Sequence, residues 1–232
     1  MTDTRAGKWL LIGLAAVLVI VLAIAVGTGD AGARSFTNLV SLAQVPLAVL
    51  LPVLGVLAAT SEWSQRTVLT TFSLVPSRGR VLTSKALAAM TLALVATVAS
   101  LAVAAVFALL APIAGETTAD WGLGASDLLQ IVVFQQLNML SGLALGALLL
   151  NSALAIVLYF VLPTIWGGIT SAFESLADVQ QWLDVGTTWF RLIEPDLALT
   201  GEHWAQVAAS ACLWILLPLG LGLARILRKE VD

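Results

Sequence analysis

The chain has 232 residues, of which 59% are hydrophobic and only 11% charged, with a net charge of −3. Ordinary soluble domains are about 45–50% apolar and about 25% charged, so a mean hydropathy of +0.99 exceeds what a water-soluble fold of this size can bury. The composition excludes a soluble enzyme, the single Cys212 excludes an internal disulfide or a Cys-rich metal site, and the lone His203 a multi-histidine one. An integral membrane protein is expected, with no metal and no nucleic-acid partner.

A span needs about 20 apolar residues. The first uncharged run, from Trp9 to Gly29, is longer than the apolar core of a signal peptide and lacks a clear A-x-A cleavage site. It reads as an uncleaved span over 9–27. The second covers 38–59 and contains Asn38, Gln44, Pro46 and Pro52.

Between the second and third spans lies the polar stretch S-E-W-S-Q-R-T-V-L-T-T-F-S-L-V-P-S-R-G-R, residues 61–80. At about 100° per residue, Val68, Leu69, Phe72 and Val75 share one side and Glu62, Arg66, Thr70 and Ser73 the adjoining one. Thr60 or Ser61 would cap this helix and Pro76 end it. The reading is an amphipathic helix over 61–76, lying flat at the membrane interface; a bland surface anchor has the same pattern.

The third span reads as 85–113, with Lys85 at its mouth. An uncharged stretch over 128–173 is long enough for two helices, and Asn151-Ser152 supplies the reversal, giving spans at 128–150 and 153–171. Gln135, Gln136 and Asn138 in F-Q-Q-L-N cover more than one helix face, so at least one amide turns away from lipid. They are interhelical glue or a translocation surface. From Phe173 to Trp204 a mixed segment follows, in which Leu176, Val179, Trp182 and Leu183 share a face, Gly186 interrupts, and Trp189, Leu192 and Ile193 begin again. Trp182 and Trp189 fit interfacial anchors, or alternatively an outer gate or lid. The sixth span reads as 205–225.

Lys and Arg placement sets orientation. With a cytoplasmic N-terminus, Arg5, Lys8, Arg66, Arg78, Arg80, Lys85, Arg225, Arg228 and Lys229 fall inside and only Arg34 and Arg191 outside. Both termini are then cytoplasmic and the outer face is strongly acidic. A single transmembrane domain over 1–232 is expected, with no second module.

The spans are almost free of charge, which argues against a proton- or sodium-coupled carrier. No G-x-S-x-G, H-E-x-x-H or G-x-x-x-x-G-K-[ST] pattern occurs, so no catalytic residue is assigned and any driving energy comes from elsewhere.

Glu62, then T-V-L-T-T-F-S-L-V, Pro76-Ser77-Arg78, Arg80 and Lys85 resemble the permease subunits of ABC transporters of the type-2 exporter class. The likeness in layout covers nearly the whole chain: six spans, cytoplasmic termini and a long outer segment between spans five and six. In residues it is confined to about 60–85. The resemblance implies an all-α membrane permease with a coupling helix at 61–76 and short outer-leaflet helices. It also implies a second permease chain and two separate ATP-binding subunits that hold ATP and Mg, in the cell membrane of a bacterium.

On that basis Glu62 and Arg66 would be polar partners of the ATP-binding subunit, with Leu69 and Phe72 as its apolar docking face. Arg78 and Arg80 would contact lipid phosphate or the subunit. The chain itself would be no enzyme and hold no cofactor. Two rivals share its features: a membrane scaffold or immunity protein that moves nothing, and, less favoured, a secondary carrier. The substrate is open, the acidic outer face pointing to a cationic or neutral cargo.

Overall fold

A computed structural model describes residues 5–64, 78–117, 121–194 and 197–228. The described residues are 88% helical, and no strand occurs among them. The helices are α1 (Arg5–Thr28), α2 (Phe36–Ser64), α3 (Arg78–Ala114), α4 (Ala125–Leu149), α5 (Ser152–Ala172), α6 (Ala177–Leu183), α7 (Val185–Thr188), α8 (Gly201–Ala211) and α9 (Leu217–Arg228). Short 3-10 turns at Glu174–Leu176 and Phe190–Ile193 flank α6 and α7. A π-turn at Cys212–Leu216 joins α8 to α9, so the two form one long rod. Six of these segments are long and apolar enough to cross a membrane, which makes this a multi-pass membrane protein.

Burial divides the six unequally. In the hydrophobic windows of α2 and α4, 61% and 67% of residues are buried, against 22% or less in α1, α3 and α5. Two central helices are therefore ringed by the others, whose outer faces carry the exposed Ile20, Val95, Leu109 and Ile165, as suits lipid contact.

Small residues let the central pair touch backbone to backbone. A Cβ on Gly142 would strike the Pro52 backbone, 2.7 Å from its Cα, and one on Gly55 would meet the Met139 carbonyl. Gly146 repeats the arrangement against Val56, and Gly222 of α9 lies equally close to Ala147 and Leu148. The buried stripe of α3 is likewise small: Ala89, Ala93, Thr97, Ser100 and Ala104. The Thr97 and Ser100 hydroxyls donate to carbonyls of their own helix, at 2.8 Å each, so neither is left unsatisfied in the core.

The ends are tied by polar contacts. At one end Lys85 Nζ donates to Ala59 O (3.3 Å) and Arg225 to Leu148 O (2.7 Å). There α4 reverses into α5 through Leu150, at φ 55°, while the Asn151 side chain accepts from Leu154 N. At the other end Arg34 donates to Val26 O (2.8 Å) and Glu116 O (3.3 Å), and Phe36 stacks on Trp121 at 4.8 Å. The first end is the basic one; the second carries Asp30, Glu116 and Asp127.

Three local expectations are corrected. α2 does not stop near residue 59 but runs to Ser64, and α3 starts at Arg78 rather than 85. Thr60 and Ser61 sit within α2, donating back to Val56 O (2.9 Å) and Ala58 O (3.3 Å). The break in the segment after α5 falls at Asp184, two residues before Gly186.

Candidate functional site

Two cavities adjoin the central pair. The first, about 290 Å³, lies between α2 (Val45, Ala48, Val49), α4 (Asn138, Ser141, Leu145), α5 (Tyr159, Phe160, Pro163, Thr164), the 185–193 segment and Trp214. Its wall is apolar and aromatic, and no charged side chain among the described residues lines it. One polar spot interrupts it: Tyr159 Oη donates to Asn138 Oδ1 at 2.8 Å, Asn138 Nδ2 donates to Phe134 O at 2.8 Å, and Ser141 Oγ to Asn138 O at 2.9 Å. Helical spacing explains the last two, since residues three and four back lie one turn away.

The second cavity, about 490 Å³, opens at the acidic end between Thr37, Ser41, Ser126, Asp127, Gln130, Glu194 and Trp204. It is a polar vestibule. Asp127, in the first turn of α4, accepts from Gly124 N (2.8 Å) and Ser126 Oγ (3.3 Å), where the positive end of a helix favours an anion. Ile193 lines both cavities, so one side chain of the 190–193 turn is their common wall.

That turn is held from below. Asp184 Oδ2 accepts from Thr187 N (2.7 Å) and Oγ1 (2.9 Å), starting α7. Gly167 and Gly186 make room for its carboxylate, since a Cβ on either would lie 3.0 Å from it. Ser210 Oγ of α8 then accepts from both Thr188 Oγ1 (2.9 Å) and Trp189 Nε1 (2.8 Å), and itself donates to Val207 O (3.0 Å). Arg191 donates to Gln206 Oε1 (2.7 Å), and Trp214 Nε1 to Leu183 O (2.8 Å). With its edge-to-face contact between Phe190 and Phe134 at 5.5 Å, the segment packs into the bundle instead of lying over it.

The three amides of F-Q-Q-L-N face three different neighbours. Gln135 Nε2 bonds Gln44 Oε1 (3.0 Å) and Gln44 O (3.2 Å), joining α4 to α2 in the buried core. Gln136 Nε2 bonds Met90 O of α3 (3.1 Å). Only Asn138 reaches the cleft. The Oε1 atoms of Gln135 and Gln136 are buried without a hydrogen-bond partner.

Trp182 is 39% exposed and Trp189 only 1%. His203 Nδ1 accepts from Thr200 N (3.2 Å) and helps to start α8, a local structural role. Glu62 falls in the last turn of α2 and Arg78 in the first residue of α3, with Arg80 exposed beside it. Arg66, Leu69 and Phe72, and with them most of the 61–76 helix, lie outside the described residues. The cleft itself was not anticipated: Tyr159 is the chain's only tyrosine, and its position on an apolar span is the signal that marks it. No protein-family model matches the chain, and no curated protein matches it.

Proposed function

We propose that this chain is the membrane subunit of an ATP-driven exporter of the type-2 ABC class, multi-pass in the cell membrane with cytoplasmic termini. It would work with a second permease chain and two separate ATP-binding subunits that hold ATP and Mg. The observation that carries the transport part is the pair of cavities sharing Ile193: an apolar one inside the bundle and a polar one at the acidic end. Unlike compartments that share a lining side chain suit a cargo that is held first in one and released afterwards from the other.

The coupling part rests on continuity. α2 supplies a cleft wall at Val45, Ala48 and Val49 and runs on to Ser64, while α3 begins at Arg78. Lys85 ties the two helices at Ala59. A force applied through Glu62, Arg66, Leu69, Phe72, Arg78 and Arg80 would therefore reach the cleft along α2.

The deciding experiment is a pulldown of tagged protein from its own host in several mild detergents, with mass spectrometry and an ATPase assay. A copurifying subunit with a phosphate-binding loop and vanadate-sensitive turnover supports the reading. Glu62→Ala and Phe72→Asp should weaken copurification or lower turnover while insertion persists. The chain alone, without turnover in every detergent, would sink it.

A further inference from the structure

The cleft has a size, a depth and a chemistry. At about 290 Å³ it is roughly twice the ~150 Å³ apolar cavity that holds one benzene ring, so two fused rings or a short chain fit. Val49, Asn138 and Trp214 sit midway along their spans; this part of the cleft is thus at mid-depth. Val45, Val49, Phe160 and Phe190 are exposed at its rim, which leaves it open sideways.

A cleft that merely accommodated lipid tails would need no polar group. Yet Tyr159 and Asn138 are held here, where polar side chains are costly and mark functional sites. Asn138 spends one of its two amide N–H bonds on Phe134 O, leaving the other to donate, and the Tyr159 oxygen keeps lone pairs to accept. No charged side chain among the described residues lines the wall to compensate an ion, and desolvating an unpaired charge costs far more than one hydrogen bond returns.

We propose that the cleft binds a small neutral molecule, with an apolar body of about two rings and one hydroxyl or carbonyl group, taken up sideways from the bilayer. Its polar group sits on the Tyr159–Asn138 pair. As the cargo site of an exporter this rests on the function proposed above; as a binding site it does not.

The test uses the full chain with its copurified subunits in nanodiscs. The probes are a hydroxyl-bearing aryl diazirine, its carboxylate and ammonium counterparts, and a diazirine-tailed phospholipid, with labelled peptides mapped by mass spectrometry. The neutral probe should label residues 45–49, 159–164 and 185–193 saturably, and 2-naphthol should displace it. Tyr159→Phe should raise the half-saturating concentration about fivefold, as the loss of one hydrogen bond implies. Val49→Trp should remove labelling of these peptides and leave that of α1 and α3 unchanged. Equal labelling by a charged probe, phospholipid labelling that 2-naphthol does not displace, or indifference to both substitutions would overturn the assignment. Saturable labelling without any ATPase would sink the exporter reading and keep the site; an active ATPase without saturable labelling would do the reverse.

Discussion

Gly142 has no room for a side chain, because its missing Cβ is where the Pro52 backbone passes. Backbone cannot step aside as a flexible side chain can, so Gly142→Ala should cost about 2–3 kcal/mol, at the upper end of overpacking penalties. Gly13, with nothing within 4 Å, makes the control: Gly13→Ala should be neutral or gain about 0.5 kcal/mol of helix propensity. Resistance to unfolding in SDS, measured on both variants, separates the two. The Gln44–Gln135 pair has its own signature. Gln135→Leu should lose about 1 kcal/mol and Gln44→Leu a similar amount, whereas the double variant should lose less than their sum, as for other interhelical bonds in membranes. Additive losses would show that the pair does not couple. That these positions are polar is plain in the sequence. Which neighbour each amide meets depends on how the helices are rotated against one another, and residue type says nothing of that.

Helix boundaries were legible only where a side chain makes them. Asn151 marks the reversal between α4 and α5 because its oxygen caps Leu154 N at 3.1 Å. The preceding Leu150 pays for a left-handed backbone at φ 55°, so Leu150→Gly should raise stability by up to about 1 kcal/mol, relieving the Cβ clash, as a thermal melt in detergent would show. The start of α3 was missed because hydropathy finds the part of a helix that meets hydrocarbon, not where the helix begins. Thr83 and Ser84 donate back to Arg80 O at 3.0 and 2.9 Å, keeping the polar first turns helical. In the segment after α5 the glycine drew the eye, but the capping Asp184 sets the break. Ser210 is the fixing point of that segment, so Ser210→Ala should strand the Trp189 N–H, while the Thr188 hydroxyl keeps Asp184 O at 2.7 Å. Faster hydrogen exchange over 185–193, with 36–61 unchanged, is the expected result; equal exchange would mean that Phe190 and Arg191 hold the segment unaided.

Across the whole molecule, hydropathy locates the membrane and misleads about the core. The most apolar window, at 3.1 in α1, is 22% buried, while the least apolar, at 1.6 in α4, is 67% buried. In water the order would be the reverse. In a bilayer the lipid tails are as apolar as leucine, so the outer helices can turn large aliphatic side chains to the lipid, while the amides Gln44, Gln135 and Asn138 are buried in the inner pair. Orientation is open to a direct check. With Cys212 replaced by Ala, a cysteine at Ser84 should resist an impermeant maleimide in intact cells and one at Glu116 should react. The opposite pattern would invert the nine-to-two distribution of Lys and Arg across the membrane.

The two prolines of α2 bracket the stretch that walls the cleft, Pro46 before Ala48 and Val49 and Pro52 after them. Each lacks the N–H that would bond the carbonyl four residues earlier, so α2 resists bending least along this stretch. Just beyond, Gly55 is fixed against α4. Flexing of α2 is thereby concentrated in a hinge at the cleft, and the volume offered to a ligand can change while the glycine-packed half of the protein keeps its shape.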